Sequence, residues 1–338
     1  ACWPARAPIA TTSNSQPESL FVSRAHRELF DVHGILLLDK PVGLTSNRAL
    51  QQAKRLLQAR KAGHTGSLDP LASGLLPLCF GEATKVSRFL LEADKRYQAV
   101  FRLGQSTNTG DAEGEVTEAR PVTATRRDIE RAIERFTGAI EQVPPMYSAI
   151  KQGGQPLYKL ARAGVTTERA PRAVTIYQYT VLGLDGDRLS VDIRCSKGTY
   201  IRSLAHDLGE LLGCGAHVAE LRRTEMGGFT IGQAISLVEF EALPDPRTRA
   251  SRLIPADQAL NALPEITLSQ NAAYYFCQGQ PVTARPLPPA GGWVRVYEGS
   301  GEIRGRFLGL AEVDDNGLAA PRRLLHATEG PDSAAENG

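Results

Sequence analysis

The sequence predicts an α+β protein: one large mixed sheet with helices, followed by a small β-rich second domain. Three observations predict it. Strand-length apolar runs and amphipathic helical stripes intermingle without strict βαβ alternation, and no internal repeat is evident. The 338 residues are long for one domain and comfortable for two. A Pro-rich stretch near 244–264 marks a boundary, beyond which the pattern is mostly strand and turn.

Taken in order, residues 1–30 are rich in Ala, Pro, Ser and Thr and read as a disordered tail. Gly34 to Asp39 is a short apolar run, a buried strand broken by Lys40-Pro41-Val42-Gly43. Ser46 caps a helix with the apolar stripe Leu50, Ala53, Leu56 and Leu57, leaving Lys54, Arg55, Arg60 and Lys61 exposed. Four glycines and two prolines between Gly63 and Gly81 predict a loop and turn, then a strand over 76–80. Lys95 to Leu103 alternates as a strand, and Thr109 to Glu115 is a turn. Thr125 and Asp128 form a capping pair for a helix with Ile129, Ile133 and Phe136 inward, closed by Gly138. A strand over 187–195 precedes a helix over 199–212 that Gly213 stops, and another strand runs through His217 to Leu221. In the last region Trp293 to Tyr297 alternates, Gly299-Ser300-Gly301 turns, and Asn316-Gly317 signals a hairpin.

Composition excludes several classes. Hydrophobic residues at 42% and charged residues at 22% are ordinary globular values. The formal net charge of +2 means that any nucleic-acid surface must come from local clustering. Five widely spaced cysteines without a C-x-x-C pair favour neither a disulfide framework nor structural zinc, so a reducing cytosol fits best. No secretory signal and no membrane-length apolar run is present, which predicts a soluble cytoplasmic protein.

The densest unusual segment is Gly63-His64-Thr65-Gly66-Ser67-Leu68-Asp69-Pro70, whose glycines let the backbone approach a ligand closely. It is no phosphate loop, since no Gly-Lys-Ser/Thr follows. Its ordinary structural reading is a helix cap with proline at the first helical position. A second cluster, Cys195 to Arg202, puts Lys197, Tyr200 and Arg202 at a strand end and helix start, where a carboxylate partner would suit them; the ordinary reading has Thr199 as the cap. From Lys151 to Arg172, five cations (Lys151, Lys159, Arg162, Arg169, Arg172) stand against one acid, Glu168, with Tyr147 and Tyr158 nearby, a composition suited to clamping a phosphate backbone or simply a solvated face. Two patterns are decoys. Ser148-Ala149-Ile150-Lys151 spells a serine–lysine dyad without its supporting motifs, and Asp111 to Glu115 has the wrong spacing for calcium and reads as a solvated turn.

Together these motifs resemble the TruB family of tRNA pseudouridine synthases. The match begins at Gly34 to Pro41 and continues through Gly63 to Gly74, Gly81 to Lys85 and Asp94 to Tyr97. It goes on through Pro145 to Lys151, Cys195 to Arg202 and Gly213 to His217. It covers about residues 34–325 and is strongest to 225. It implies a mixed-sheet pseudouridine synthase catalytic domain over 31–250, with 145–172 as an RNA-clamping insertion. A small C-terminal β-barrel PUA-like RNA-binding domain would span 260–326, and 327–338 would be a disordered tail.

The resemblance further implies isomerisation of uridine 55 in the TψC loop of tRNA, with no metal and no cofactor. It makes Asp69 the catalytic carboxylate, paired with Arg202, whose guanidinium would lower its pKa. Tyr97 would stack on the base and assist proton removal, Tyr200 would line the pocket, and Leu221 would pack on the uracil. His64 would enter the RNA loop, and Lys40 and Lys85 would lie near the site. The expected partner is the tRNA T stem-loop, bound by a monomer. The alternative is a non-catalytic RNA-binding or RNA-folding protein on the same scaffold, with a Ser148 hydrolase a distant third.

Overall fold

β1 (Gly34–Lys40) is buried on both faces, because its side chains alternate between two cores: Leu36 and Leu38 enter one, Ile35 and Leu37 the other. The computed structural model that displays this describes residues 29–165, 167–283, 292–300 and 303–325. Most of the expected 1–30 tail and all of the expected 327–338 tail lie outside the described residues. Order nevertheless starts before Gly34, since Phe30 forms a bridge to Ala59.

After β1 comes α1 (Ser46–Leu56), then β2 (Ala62–His64), β3 (Ala72–Phe80), α2 (Ser87–Glu92) and β4 (Lys95–Leu103). Thr45, not Ser46, caps α1, and Ser46 is buried in its first turn. β3 starts at Ala72, four residues before the expected strand, because its register with β1 persists from Phe80 back to Gly74. The turn hairpin β5 (Gln105–Thr107) and β6 (Val116–Ala119) leads to α3 (Arg126–Glu134), which carries the expected Thr125–Asp128 capping box. β7 (Gly138–Gln142), a short hairpin β8 (Lys151–Gln152) and β9 (Gln155–Pro156), and α4 (Leu157–Arg162) follow.

The long β10 (Arg172–Asp185) and β11 (Arg188–Cys195) return to the sheet before α5 (Ile201–Leu211) and β12 (Ala216–Met226). α5 starts two residues later than expected; Thr199 does not cap it but donates to the Ser196 carbonyl at 3.0 Å. β12 runs five residues past the expected end, since β4 and β3 pair with it there. β13 (Phe229–Thr230), β14 (Ile235–Ser236), α6 (Leu237–Ala242) and α7 (Pro246–Ala250) complete this half. The stretch read as a boundary is tied to the first sheet instead: Ile254 and Ile35 exchange backbone bonds of 2.9 Å each.

The main sheet runs β14-β1-β3-β12-β4-β11-β10-β7, mostly antiparallel but with β12 parallel to β3, so it is mixed as the sequence predicts. α1, α3 and α5 cover one face over a core that includes Leu57, Phe80, Phe101 and Leu204. Gly74 has φ +102 where β3 meets β12, and a Cβ there would lie 2.3 Å from the Arg223 carbonyl oxygen, so only glycine lets the strands close.

The last part is a separate curled sheet ordered β15-β17-β18-β19-β16. Its elements are β15 (Glu265–Leu268), α8 (Gln270–Cys277), β16 (Val282–Thr283), β17 (Trp293–Ser300), β18 (Ile303–Val313) and β19 (Leu318–Leu324). Ile266, Leu268, Phe276, Val294, Val296 and Leu308 form its own core. It meets the first half where Phe89 packs edge-on against Trp293, ring centroids 5.4 Å apart. Among the described residues no helix is long and apolar enough to cross a membrane.

Candidate active site

The chain from β2 to β3 holds Asp69 by its backbone from both sides. The turn passes Gly66 at φ +124. Ser46 then clamps Leu68, accepting from its N–H at 2.7 Å and donating to its carbonyl at 3.1 Å. Asp69 and Pro70 use their carbonyls to accept from Ala72 N–H at 3.0 Å and Gly43 N–H at 2.8 Å. Asp69 is therefore fixed just ahead of β3, and no helix follows Pro70 for it to cap.

The start of α5 delivers the partner. Gln142 grips the Tyr200 backbone twice, accepting from its N–H at 2.9 Å and donating to its carbonyl at 3.1 Å. Two residues on, Arg202 is 7% exposed, and its Nη2 lies 3.0 Å from Asp69 Oδ2. Nη1 lies 3.5 Å from Asp111 Oδ2. The same guanidinium donates to the Thr109 carbonyl at 3.1 Å and the Tyr147 carbonyl at 2.7 Å, so its direction is fully determined.

Asp69 keeps 42% of its side chain exposed, yet its pKa is raised above the ordinary carboxylate value. Burial is the main cause, and the Asp111 charge adds to it; Arg202 and Lys40 pull the other way. The expectation that Arg202 would leave the pKa below normal is thus corrected: the guanidinium lowers it, but desolvation outweighs the pair. Lys40 is fully buried, donating to the Pro41 carbonyl at 2.8 Å and the Leu44 carbonyl at 2.5 Å, and burial lowers its pKa to about 8 against the opposing pull of Asp69.

Tyr97 on β4 is buried, which raises its pKa; Arg223 opposes this and Asp69 reinforces it. Tyr200, half-buried, feels the Asp69 and Arg202 charges too, and burial raises its pKa. Leu221 lies opposite Ala99 on β4 and Ala72 on β3, which puts it on the same face as Tyr97, two residues from Ala99. His64, at the end of β2, has a buried Nδ1 without a hydrogen-bond partner, and burial with the Arg223 charge lowers its pKa. Lys85 does not join this group. It pairs with Glu82 at 2.6 Å and donates to the Leu324 carbonyl at 2.8 Å, tying the first half to the second sheet.

Two residues of the constellation escape the sequence reading. Asp111 is 3% exposed, not solvated: it accepts from Thr109 Oγ1 at 2.6 Å and faces Arg202. Arg223 is 1% exposed and donates to the Leu75 carbonyl at 2.7 Å and the Gly66 carbonyl at 3.2 Å. Strand alternation offered a signal for it, since Leu221 and Arg223 share a face. The Ser148–Lys151 decoy forms no dyad: Ser148 Oγ is buried without a hydrogen-bond partner and Lys151 is exposed on a hairpin. Among the described residues no group of three or more His, Cys, Asp or Glu side chains is disposed to hold a metal ion.

Of the five cations in the 151–172 segment, Lys151, Lys159, Arg162 and Arg172 are exposed, and none of the five forms an ion pair among the described residues. Arg162 lies over the Tyr158 ring at 5.7 Å. A cavity of about 380 Å³, lined by Lys85, Arg88, Phe89, Trp293 and Arg323, occupies the junction between the two sheets.

Known proteins resemble this chain over most of its length. The family model for the N-terminal domain of TruB family pseudouridylate synthases matches residues 54–201. Two C-terminal models of the same family, described as tRNA pseudouridylate synthase B C-terminal domain and pseudouridine synthase II TruB C-terminal, match 202–261 and 264–325. The tRNA pseudouridine synthase B of Ectopseudomonas mendocina is 55% identical over 298 residues, 87% of this chain and 96% of that protein. That of Stutzerimonas stutzeri is 54% identical over 300 residues, 88% of this chain and 97% of its own. Among solved structures, a Cbf5-Nop10-Gar1 complex contains a chain with a TM-score of 0.64 at 27% identity, covering 88% of this chain and 82% of that one.

Proposed function

The chain belongs to the TruB family of pseudouridine synthases, and from that premise we propose that it converts uridine 55 in the TψC loop of tRNA to pseudouridine, using the Asp69 carboxylate. The observation that carries the reading is the Arg202–Asp69 pair at 3.0 Å, set beside Tyr97, Tyr200 and Leu221. The reaction breaks the N1–C1′ bond, turns the base and rejoins it through C5, with no change of oxidation state. Asp69 acts either by adding to C6 or at C1′, and both routes need its ionised form. Desolvation makes the carboxylate more basic and therefore more nucleophilic, while Arg202 fixes its direction. Tyr97 is the platform on which the base stacks and a candidate to take the C5 proton, and Leu221 closes the pocket beside it.

A base inside a folded loop must first leave its stack, at a cost of a few kcal/mol. Stacking on Tyr97 returns roughly 1–3 kcal/mol. His64 at the tip of β2 fills the vacated position, Tyr200 lines the pocket wall and the buried Lys40 adds positive potential behind Asp69. Lys151, Lys159, Arg162 and Arg172, exposed and without an ion pair among the described residues, clamp the phosphate backbone. The second sheet adds RNA contacts as a PUA-like module, and a single chain suffices for the whole surface.

The test is an unmodified tRNA transcript incubated with the wild-type chain and with Asp69→Asn, followed by pseudouridine mapping. Product at position 55 with the wild type, and none with a variant that still folds and binds tRNA, is the expected result. Near-normal product with Asp69→Asn removes Asp69 from the role.

A further inference from the structure

Arg223 is a buried cation that the chemistry above leaves unused. It is 1% exposed in the middle of the sheet, and it forms no ion pair with any carboxylate among the described residues. Its charged neighbours are Lys40, His64 and Lys95, all of like sign when protonated, and its charge helps to lower the pKa of each. A guanidinium in such company is costly, and a Leu or Met would pack the same volume without the penalty. Its presence is explained by its donors, each of which goes to a different part of the site. Nε donates to the Leu75 carbonyl on β3 at 2.7 Å, and Nη2 to the Gly66 carbonyl in the turn after His64 at 3.2 Å. Its third neighbour is Tyr97, its register partner across the β4–β12 ladder, whose pKa the Arg223 charge lowers. A bulge between Arg223 and Glu225 marks the strand at that point, a device that re-aims side chains.

We propose that Arg223 is a positioning residue that joins the Tyr97 hydroxyl to the His64–Gly66 turn, holding the base platform and the RNA-facing turn at one fixed spacing. The inference rests on the pseudouridine synthase reading above. It has a chemical consequence as well as a mechanical one. A guanidinium only donates, so from its place across the ladder from Tyr97 it can take only a lone pair of the phenol oxygen, which turns the Tyr97 hydrogen away from Arg223 and toward the cleft that holds Asp69. The platform then meets the extruded base with a fixed donor, and a phenolate formed during proton transfer keeps a cation beside it.

The test is a double-mutant cycle between Arg223→Gln and Tyr97→Phe, read by single-turnover pseudouridine formation on an unmodified tRNA transcript, with tRNA binding measured in parallel. In the wild-type background, Arg223→Gln is expected to slow the single-turnover rate by about 100-fold, the scale of an ångström of misplacement, with tRNA affinity changed by less than about 3-fold. In the Tyr97→Phe background the same substitution is expected to cost at most about 3-fold, because the joint is already cut. Equal losses in both backgrounds, or an unchanged rate, overturn the proposal; a role in folding alone would act equally in both. If Arg223→Gln does not fold, the cycle is run with Arg223→Lys, which keeps the charge but not the divergent donors, and the same non-additivity is required. Wild type without product sinks the functional reading itself. Active wild type, dead Asp69→Asn and normal Arg223 variants sink only this inference.

Discussion

Replacing Arg202 with Gln removes the charge that opposes protonation of Asp69 while nearly preserving shape. At the observed separation of 3.0 Å, the Coulomb interaction is about 1.4 kcal/mol in water-like surroundings and about 5.5 kcal/mol at an effective dielectric of 20. Because Asp69 is 42% exposed, solvent screening puts the value near the lower end, about 1–2 kcal/mol. The sign follows from the groups around the carboxylate. Burial and Asp111 already raise the Asp69 pKa, and Arg202 is the largest influence lowering it. Loss of Arg202 therefore moves the pKa further up. Activity requires the carboxylate, so the acid limb of the pH–rate profile shifts to higher pH, and 1–2 kcal/mol corresponds to about a tenfold change in the ionisation equilibrium. Single-turnover pseudouridine formation between pH 5 and 9 measures it. A second cost is stability, since Asp111, with 4% of its side chain exposed, loses its cation, which typically costs about 3–5 kcal/mol. Adding Asp111→Asn to Arg202→Gln should return much of that stability and, because the Asp111 charge also raises the Asp69 pKa, move the acid limb part of the way back. A folded Arg202→Gln variant whose acid limb coincides with the wild type refutes the electrostatic reasoning.

Two further outcomes follow from the same geometry. Lys40 has a folded pKa of about 8 against 10.5 when unperturbed, so between those values the unfolded chain binds the extra proton and stability rises with pH. Lys40→Met should flatten that rise by on the order of 2–3 kcal/mol, leaving the part contributed by Lys95; urea unfolding at pH 7.5, 9 and 10.5 checks it, and an unchanged slope contradicts the burial of a strained charge. Gly74→Ala combines φ +102 with a Cβ 2.3 Å from the Arg223 carbonyl oxygen, so at least ~3 kcal/mol should be lost. Gly153→Ala, at φ +56 with open space around the new Cβ, should cost only about 1 kcal/mol; equal melting temperatures for the two variants would show that the strand closure does not depend on Gly74.

Much of this architecture is legible in the sequence because local chemistry decides it. The Thr125–Asp128 capping box, the uniformly apolar β1 and the alternating β4 all behave as their side chains dictate. Boundaries went astray where a distant strand decides instead. β3 starts four residues early because β1 continues to pair with it, and the Pro-rich stretch before 264 is held to the first sheet by Ile254 pairing with Ile35. At the site, Asp69 and Arg202 stood out through glycine-rich and strand-to-helix motifs, whereas Asp111 sat in a turn of polar residues that looks solvated by composition. It is buried where its backbone bridges Val218 on β12 and Arg202 on α5 arrives from 91 positions downstream, and no local pattern encodes that meeting.

The sign of the Asp69 pKa shift carries the deeper lesson. The Asp–Arg pairing was implied by the family resemblance, and pairing alone argues for an acid stronger than usual. The fold reverses the outcome, because the elements that bring Arg202 to Asp69 also desolvate the carboxylate and set Asp111 against it. A carboxylate held by a guanidinium yet left more basic than in water keeps its direction without losing its reactivity, which is what attack on an extruded nucleotide demands. The same trade recurs at Lys40 and Arg223, buried cations that cost stability where they sit. The charges least favourable to the fold thus collect around Asp69 and Tyr97, and a stabilised variant with these cations replaced by apolar residues should lose rate faster than it loses affinity for tRNA.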